Sequence, residues 1–220
     1  MLERLHRPVY VVYEDFDNDG AEEILVNQFG HYEGGSLALY AGSVSGVSGH
    51  LVLRQEPGAI FAGVYKSEGK PNLPHIFALN AQGREEITLY RNRGNLVFEP
   101  EVLIQKPPTF GYTQLHLVDL TGDGIQELIT VNGDNADLPG PPLKAYHGIR
   151  IYRILPGITL EEVKFLPMPG AFQATFDDFD KNGLLDIAVV SFFPDSRRPE
   201  QGFVLFMNQG ELVFDRGMIS

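Results

Sequence analysis

The chain has 220 residues, 43% of them hydrophobic and 21% charged, enough to build one sizeable core or several stacked ones and too apolar for bulk disorder. Its formal charge of −12, with no basic stripe, argues against a nucleic acid or an anionic membrane surface as partner. The absence of Cys excludes disulfides, thiol catalysis and thiolate metal sites, while 24 Gly and 15 Pro favour many short elements joined by turns.

Along the chain, one unit recurs. Three segments align without gaps: Asp15-Phe-Asp-Asn-Asp-Gly-Ala-Glu-Glu23, Asp119-Leu-Thr-Gly-Asp-Gly-Ile-Gln-Glu127 and Asp178-Phe-Asp-Lys-Asn-Gly-Leu-Leu-Asp186. Each is preceded by a strand-like run, Val9–Tyr13, Gln114–Val118 and Phe172–Phe176, and followed by another, Ile24–Val26, Leu128–Val131 and Ile187–Val190. The run Ile76–Leu79 places a degraded copy of the loop at Ser67, so repeats start at 15, 67, 119 and 178, with spacings of 52, 52 and 59. Third strands end in an aromatic residue at Tyr40, Tyr90, Tyr152 and Phe206. Fourth strands follow at Leu51–Leu53, Leu96–Phe98, Val163–Phe165 and Leu212–Phe214, after turns such as Asn92–Asn95 and Asn208–Gly210. Pro57, Pro107 and Pro169 open the joints between units, and the Ser/Gly stretch 42–49 reads as a flexible turn.

Four short alternating strands per unit of about fifty residues predict an all-β β-propeller of four consecutive four-stranded antiparallel blades, at 8–56, 57–106, 107–168 and 169–220. A sixteen-stranded sandwich fits the regular repeat less well.

Four of the carboxylates in the first loop, at positions 1, 3, 5 and 9 (Asp15, Asp17, Asp19 and Glu23), repel one another unless a cation sits among them. Alternating acidic side chains with a backbone carbonyl are what calcium takes, and Gly at loop position 6 permits the tight turn. The opening resembles an EF-hand, but the closing acid stands at position 9 and strands flank the loop. On the pattern DxDxDGxxD/E, the chain resembles the FG-GAP and VCBS repeats of integrin α-like β-propellers. That resemblance implies calcium ligands at Asp15, Asp17, Asp19, the Ala21 carbonyl and Glu23. In the third unit they are Asp119, Thr121, Asp123, the Ile125 carbonyl and Glu127, with the neutral Thr121 weakening the site. In the fourth they are Asp178, Asp180, Asn182, the Leu184 carbonyl and Asp186. The second loop carries Ser67, Gly69, Pro71 and His75 at positions 1, 3, 5 and 9, with Asn72 in place of the glycine, and is expected to hold no metal. The ligand positions of the three acidic loops hold ten of the 29 acidic residues, and three Ca2+ would halve the formal charge.

Most propellers of this kind have seven blades, so the chain reads either as part of one or as four blades closing on themselves. Further blades or another chain would then cover the open faces. No GxSxG, HExxH, Walker A or dinucleotide fingerprint is present, and the six His are scattered. The function expected is a calcium-stabilised binding module recognising a protein or glycan. The alternative is a carbohydrate-active enzyme of the polysaccharide lyase kind. The site is expected outside the cytosol, extracellular, cell-surface or periplasmic, where calcium is plentiful, with any export signal outside this chain. A ligand is expected on the face opposite the calcium loops, where the loops after second strands carry His31, Gln82, Asp134, Asn135, His147 and Asp195. The Pro-rich insertion 132–147 puts Asp134, Asn135 and His147 at its centre.

Overall fold

A computed structural model describes residues 5–30, 34–43, 46–66, 72–81, 83–133, 145–195, 197 and 202–217. The chain divides into two compact units, Met1–Pro108 and Thr109–Ser220. Each unit contains two four-stranded antiparallel sheets, every one a simple meander in chain order. Sheet 1 is β1 (Pro8–Glu14), β2 (Glu23–Gln28), β3 (Ser36–Ser43) and β4 (Gly46–Arg54). Sheet 2 is β5 (Ala59–Lys66), β6 (Pro74–Asn80), β7 (Glu85–Asn92) and β8 (Phe98–Lys106). In the second unit, sheet 3 is β9 (Tyr112–Val118), β10 (Glu127–Asn132), β11 (Gly148–Leu155) and β12 (Thr159–Pro167). Sheet 4 is β13 (Ala171–Asp177), β14 (Asp186–Ser191), β15 (Phe203–Asn208) and β16 (Phe214–Gly217). The fold is therefore all-β and repeated, and no sheet closes on itself.

The inner strands of sheets 1 to 3 are buried on both faces, which explains their near-continuous apolar runs such as β10, buried throughout. Outer strands such as β8 alternate or face solvent. Within the first unit, Leu25, Leu37 and Leu39 of sheet 1 pack on Ala59, Ala62, Ile76 and Ala78 of sheet 2. The second unit repeats this, with Ile129, Val131, Ile149 and Ile151 of sheet 3 against Ala171, Ala174, Ile187 and Val189 of sheet 4. Alanines on β5 and β13 let that first strand lie close against the preceding sheet. The Pro-Gly-Ala joints are equally specific. Gly58 and Gly170 have φ of 96° and 67°, and a Cβ on either would stand 2.2 Å from a carbonyl oxygen, of Ala81 and Phe193 respectively.

The fourth strands of sheets 2 and 4 begin later than the apolar pattern predicts, and those of sheets 1 and 3 earlier, at Gly46 and Thr159. Leu96 and Leu212, expected inside strands, have φ of 56° and 57°, and each follows a residue also in the left-handed region, Asn95 and Glu211. Val97 donates to the Gly94 carbonyl and Val213 to that of Gly210, closing a pair of type I′ turns after which β8 and β16 start at Phe98 and Phe214. The Ser/Gly stretch expected as a turn instead continues the hairpin, with Gly42 opposite Val47 and Ser43 opposite Gly46.

Candidate metal-binding loops

All three acidic loops join the first strand of a sheet to its second, between β1 and β2, β9 and β10, and β13 and β14. They share one backbone course. Position 4 is left-handed in each, at Asn18, Gly122 and Lys181 (φ 59°, 75° and 63°), and so is position 6, at Gly20, Gly124 and Gly183. The position-1 carboxylate organises the turn. Asp15 accepts N–H bonds from Asp19 and Gly20, Asp178 from Asn182 and Gly183, and Asp119 from Gly122 and Gly124. The position-5 side chain accepts from the position-7 N–H: Asp19 from Ala21, Asp123 from Ile125, and Asn182 from Leu184.

In the first loop, one ligand atom from each of Asp15, Asp17 and Asp19 falls within 4.8 Å of the others, and in the fourth sheet's loop the same holds for Asp178, Asp180 and Asp186. Such oxygen-only, anionic donor sets fit a hard divalent cation. In the third sheet's loop the Thr121 hydroxyl donates to Asp119, and among the described residues Asp119, Asp123 and Glu127 do not gather in this way. Burial opposes ionisation of Asp119, yet N–H bonds from Gly124, Gly122 and Asp123 and the Thr121 hydroxyl hold its carboxyl below the usual range.

Position 9 does more than the pattern foresees. It is the first residue of the second strand, and it is buried in all three acidic loops, at Glu23, Glu127 and Asp186. One of its oxygens accepts the N–H of position 2, at 2.9 Å from Phe16, Leu120 and Phe179 alike. Burial pushes the carboxyls of Glu23 and Glu127 up, opposed by that bond and reinforced by the neighbouring aspartates. A cation among those aspartates would counter this rise.

The carbonyl of position 2 is held from the neighbouring sheet. Asn92, at the end of β7, donates through Nδ2 to the Phe16 carbonyl and to that of Pro74. Asn208, at the end of β15, donates in the same way to Leu120 and Leu185. Each Asn also turns its own hairpin, its Oδ1 accepting from Gly94 or Gly210. Its backbone N–H goes to position 9 of its own sheet: to Asp186 in sheet 4, and in sheet 2 to His75 Nδ1 at 3.0 Å. His75 thus replaces a carboxylate while retaining an acceptor, and burial, with Arg91 and Arg93 nearby, pushes its pKa down, towards the neutral ring this bond requires. Ser67, Gly69 and Pro71 of that loop lie outside the described residues.

Of the residues expected to bind a ligand, His31, Gln82, Asp134 and Asn135 lie outside the described residues. His147 is buried at the joint between sheets 3 and 4, its carbonyl accepting from Met168 and its Nδ1 facing the Gly170 N–H at 3.4 Å. Asp195 is buried too, and its carboxylate accepts from the backbone and guanidinium of Arg197. Beside His147, Asn132 donates to the Phe110 and Tyr146 carbonyls and accepts from Arg150, whose guanidinium lies 4.2 Å from the Phe165 ring centroid. The described part of the insertion therefore builds a joint. Asn92 and Asn208 escaped sequence reasoning because an Asn-x-Gly reads as a turn; the signal available was its recurrence two residues after the aromatic of the third strand. No protein-family model matches this chain, and no curated protein sequence does. Among the described residues no helix is long and apolar enough to cross a membrane.

Proposed function

We propose that this chain is a calcium-stabilised run of β-propeller blades of the FG-GAP kind, working as a binding module outside the cytosol. The observation that carries the reading is the recurrence of one loop, with the same left-handed positions and a position-1 carboxylate that accepts the position-6 N–H, at the same place in three of four sheets. Two of the loops gather three acidic oxygens. Asp15, Asp17 and Asp19 would hold calcium in the first, and Asp178, Asp180 and Asp186 in the last, while Thr121 leaves the third short of charge. Bound calcium would neutralise the carboxylates and tie the first strand of the sheet to the second. Position 9 in both loops, and Asn92 of the next sheet at the first, fix the backbone around the sites, so the cages are preorganised by packing. Extracellular calcium modules work at roughly 10⁻⁴–10⁻³ M calcium, a concentration found outside the cytosol, and a module there would take a protein or glycan as partner.

Calorimetric titration of metal-free protein with calcium, and with magnesium as control, tests this. Two sites are expected from the first and last loops and a weaker one from the third. Asp15→Asn and Asp178→Asn should each remove one of the two. No calcium binding up to several millimolar would overturn the reading.

A further inference from the structure

The repeat allows each residue of one sheet to be compared with its equivalents in the others, and that comparison isolates two faces. Strand pairing sets Val190 opposite Phe203, and the same pair elsewhere is Asn27–Leu37, Leu79–Ile87 and Val131–Ile149. Those six equivalents are all at most 1% exposed, whereas Val190 and Phe203 are 40% and 38% exposed. In sheets 1 and 3 these positions face the next sheet of their unit. Val190 follows the core residue Val189, so strand alternation turns it to the side of sheet 4 away from sheet 3. Loop position 2 tells the same story. Phe16 and Leu120 are buried in the cores that their sheets form with the next, but Phe179 is exposed. The exposed rings of Phe172 and Phe192, with centroids 5.1 Å apart, adjoin this surface. Sheet 4 thus carries a face built to receive a following sheet.

The complementary face stands on β1. Val11 and Tyr13 pair with Val26 and Ile24. Their equivalents are Ala62 and Val64 on β5, and Ala174 and Phe176 on β13, and all four pack against the core shared with the preceding sheet. On β1, Val9, Val11 and Tyr13 are exposed, while Tyr10 turns the other way and stacks on Phe61 of sheet 2. An exposed apolar surface of this kind marks an interaction site. What fits the face of sheet 4 is the first strand of a sheet of this repeat, and what fits β1 is the outer face of such a sheet. A second copy of the chain offers both.

We propose that copies of this chain associate head to tail, β1 of one copy packing on β14 and β15 of another. Val9, Val11 and Tyr13 would cover Val190, Phe203 and Phe179, as β5 covers sheet 1. The contact is heterologous, because the two surfaces differ. It rests on sheet stacking alone, so its failure would leave the calcium reading standing, and a failure of calcium binding would leave this one standing.

Two measurements test it. The wild-type chain should sediment as a species heavier than the monomer, its mean mass rising with concentration. Val11→Glu/Tyr13→Glu and Val190→Glu/Phe203→Glu should each weaken self-association at least tenfold, yet a 1:1 mixture of the two should form a dimer through the one junction left intact. Since the chain has no Cys, Val11→Cys and Val190→Cys offer a gentler pair that needs no disruptive charge. A short bismaleimide should join them in a mixture and neither protein alone. A monomer at all concentrations would overturn the proposal, as would a mixture of the cysteine variants that gives no heterodimer.

Discussion

Replacing Asn208 with alanine removes three hydrogen bonds at once, one buried and two partly buried: two donated to the Leu120 and Leu185 carbonyls, at 2.8 and 3.1 Å, and one accepted from Gly210. Each contributes about 1 kcal/mol net, and the groups left behind are enclosed, so the loss should be about 3 kcal/mol. Asn208→Asp should cost more at neutral pH, because it abolishes both donors and sets a second buried carboxylate beside Asp186, which accepts the Asn208 N–H. Gln209→Ala, at the neighbouring position, loses one long bond and should change stability by less than about 0.5 kcal/mol. Urea unfolding followed by circular dichroism reads the differences as shifts in midpoint, and scanning calorimetry should show the affected transition moving down by about 10 °C. Asn92→Ala should do the same in the first unit. A loss below about 1 kcal/mol for both alanine variants would refute the idea that these residues tie sheet to sheet.

Other outcomes follow from the loops and from one histidine. Stripping metal with a chelator should lower the unfolding temperature, each site saturated at about one hundred times its dissociation constant adding roughly 2.7 kcal/mol; equal melting with calcium and with chelator would contradict this. Thr121→Asp should strengthen the third loop, seen as a tighter or additional calcium site by titration. Lys181→Gly should stabilise metal-free protein by up to about 1 kcal/mol, since Lys181 holds a left-handed φ of 63° that glycine adopts freely. His116, partly buried between Gln114 and Phe176, has its pKa pushed by burial from 6.5 down to about 4. The folded state therefore disfavours the proton, and stability should be full above pH 6.5 and fall as pH drops towards 4, by up to about 2 kcal/mol at pH 5. His116→Gln should flatten that stretch of the pH–stability curve.

Much of this fold is legible in residue pattern, because inner strands covered on both faces must be apolar throughout, as Ile76–Leu79 and Leu128–Val131 are. The place of the acidic loops is legible too, because an Asp at position 1 and a glycine at position 6 recur between two apolar runs in three of the four units. Leu96 and Leu212 misled because the left-handed conformation has no signal in a leucine; Gly94 and Gly210, which precede these turns, were the hint. The loop pattern puts an acid at position 9 but cannot say that one of its oxygens accepts the N–H of Phe16, Leu120 or Phe179. His147 read as a surface residue because it ends a polar, Pro-rich insertion. Its burial depends on the joint at Met168–Gly170, which no local pattern around residue 147 describes.

The bonds from Asn92 to Phe16 and from Asn208 to Leu120 span 76 and 88 residues of chain. A ribosome adding about 5–20 residues per second exposes Phe16 roughly 4–15 seconds before Asn92 exists. Throughout that interval the first acidic loop lacks its partner carbonyl clamp and Phe16 lacks its cover. Vectorial synthesis therefore leaves sheet 1 unfinished until the third strand of sheet 2 has emerged, and sheet 3 waits in the same way for sheet 4. The smallest stretch of this chain that can mature as it is made is a pair of sheets.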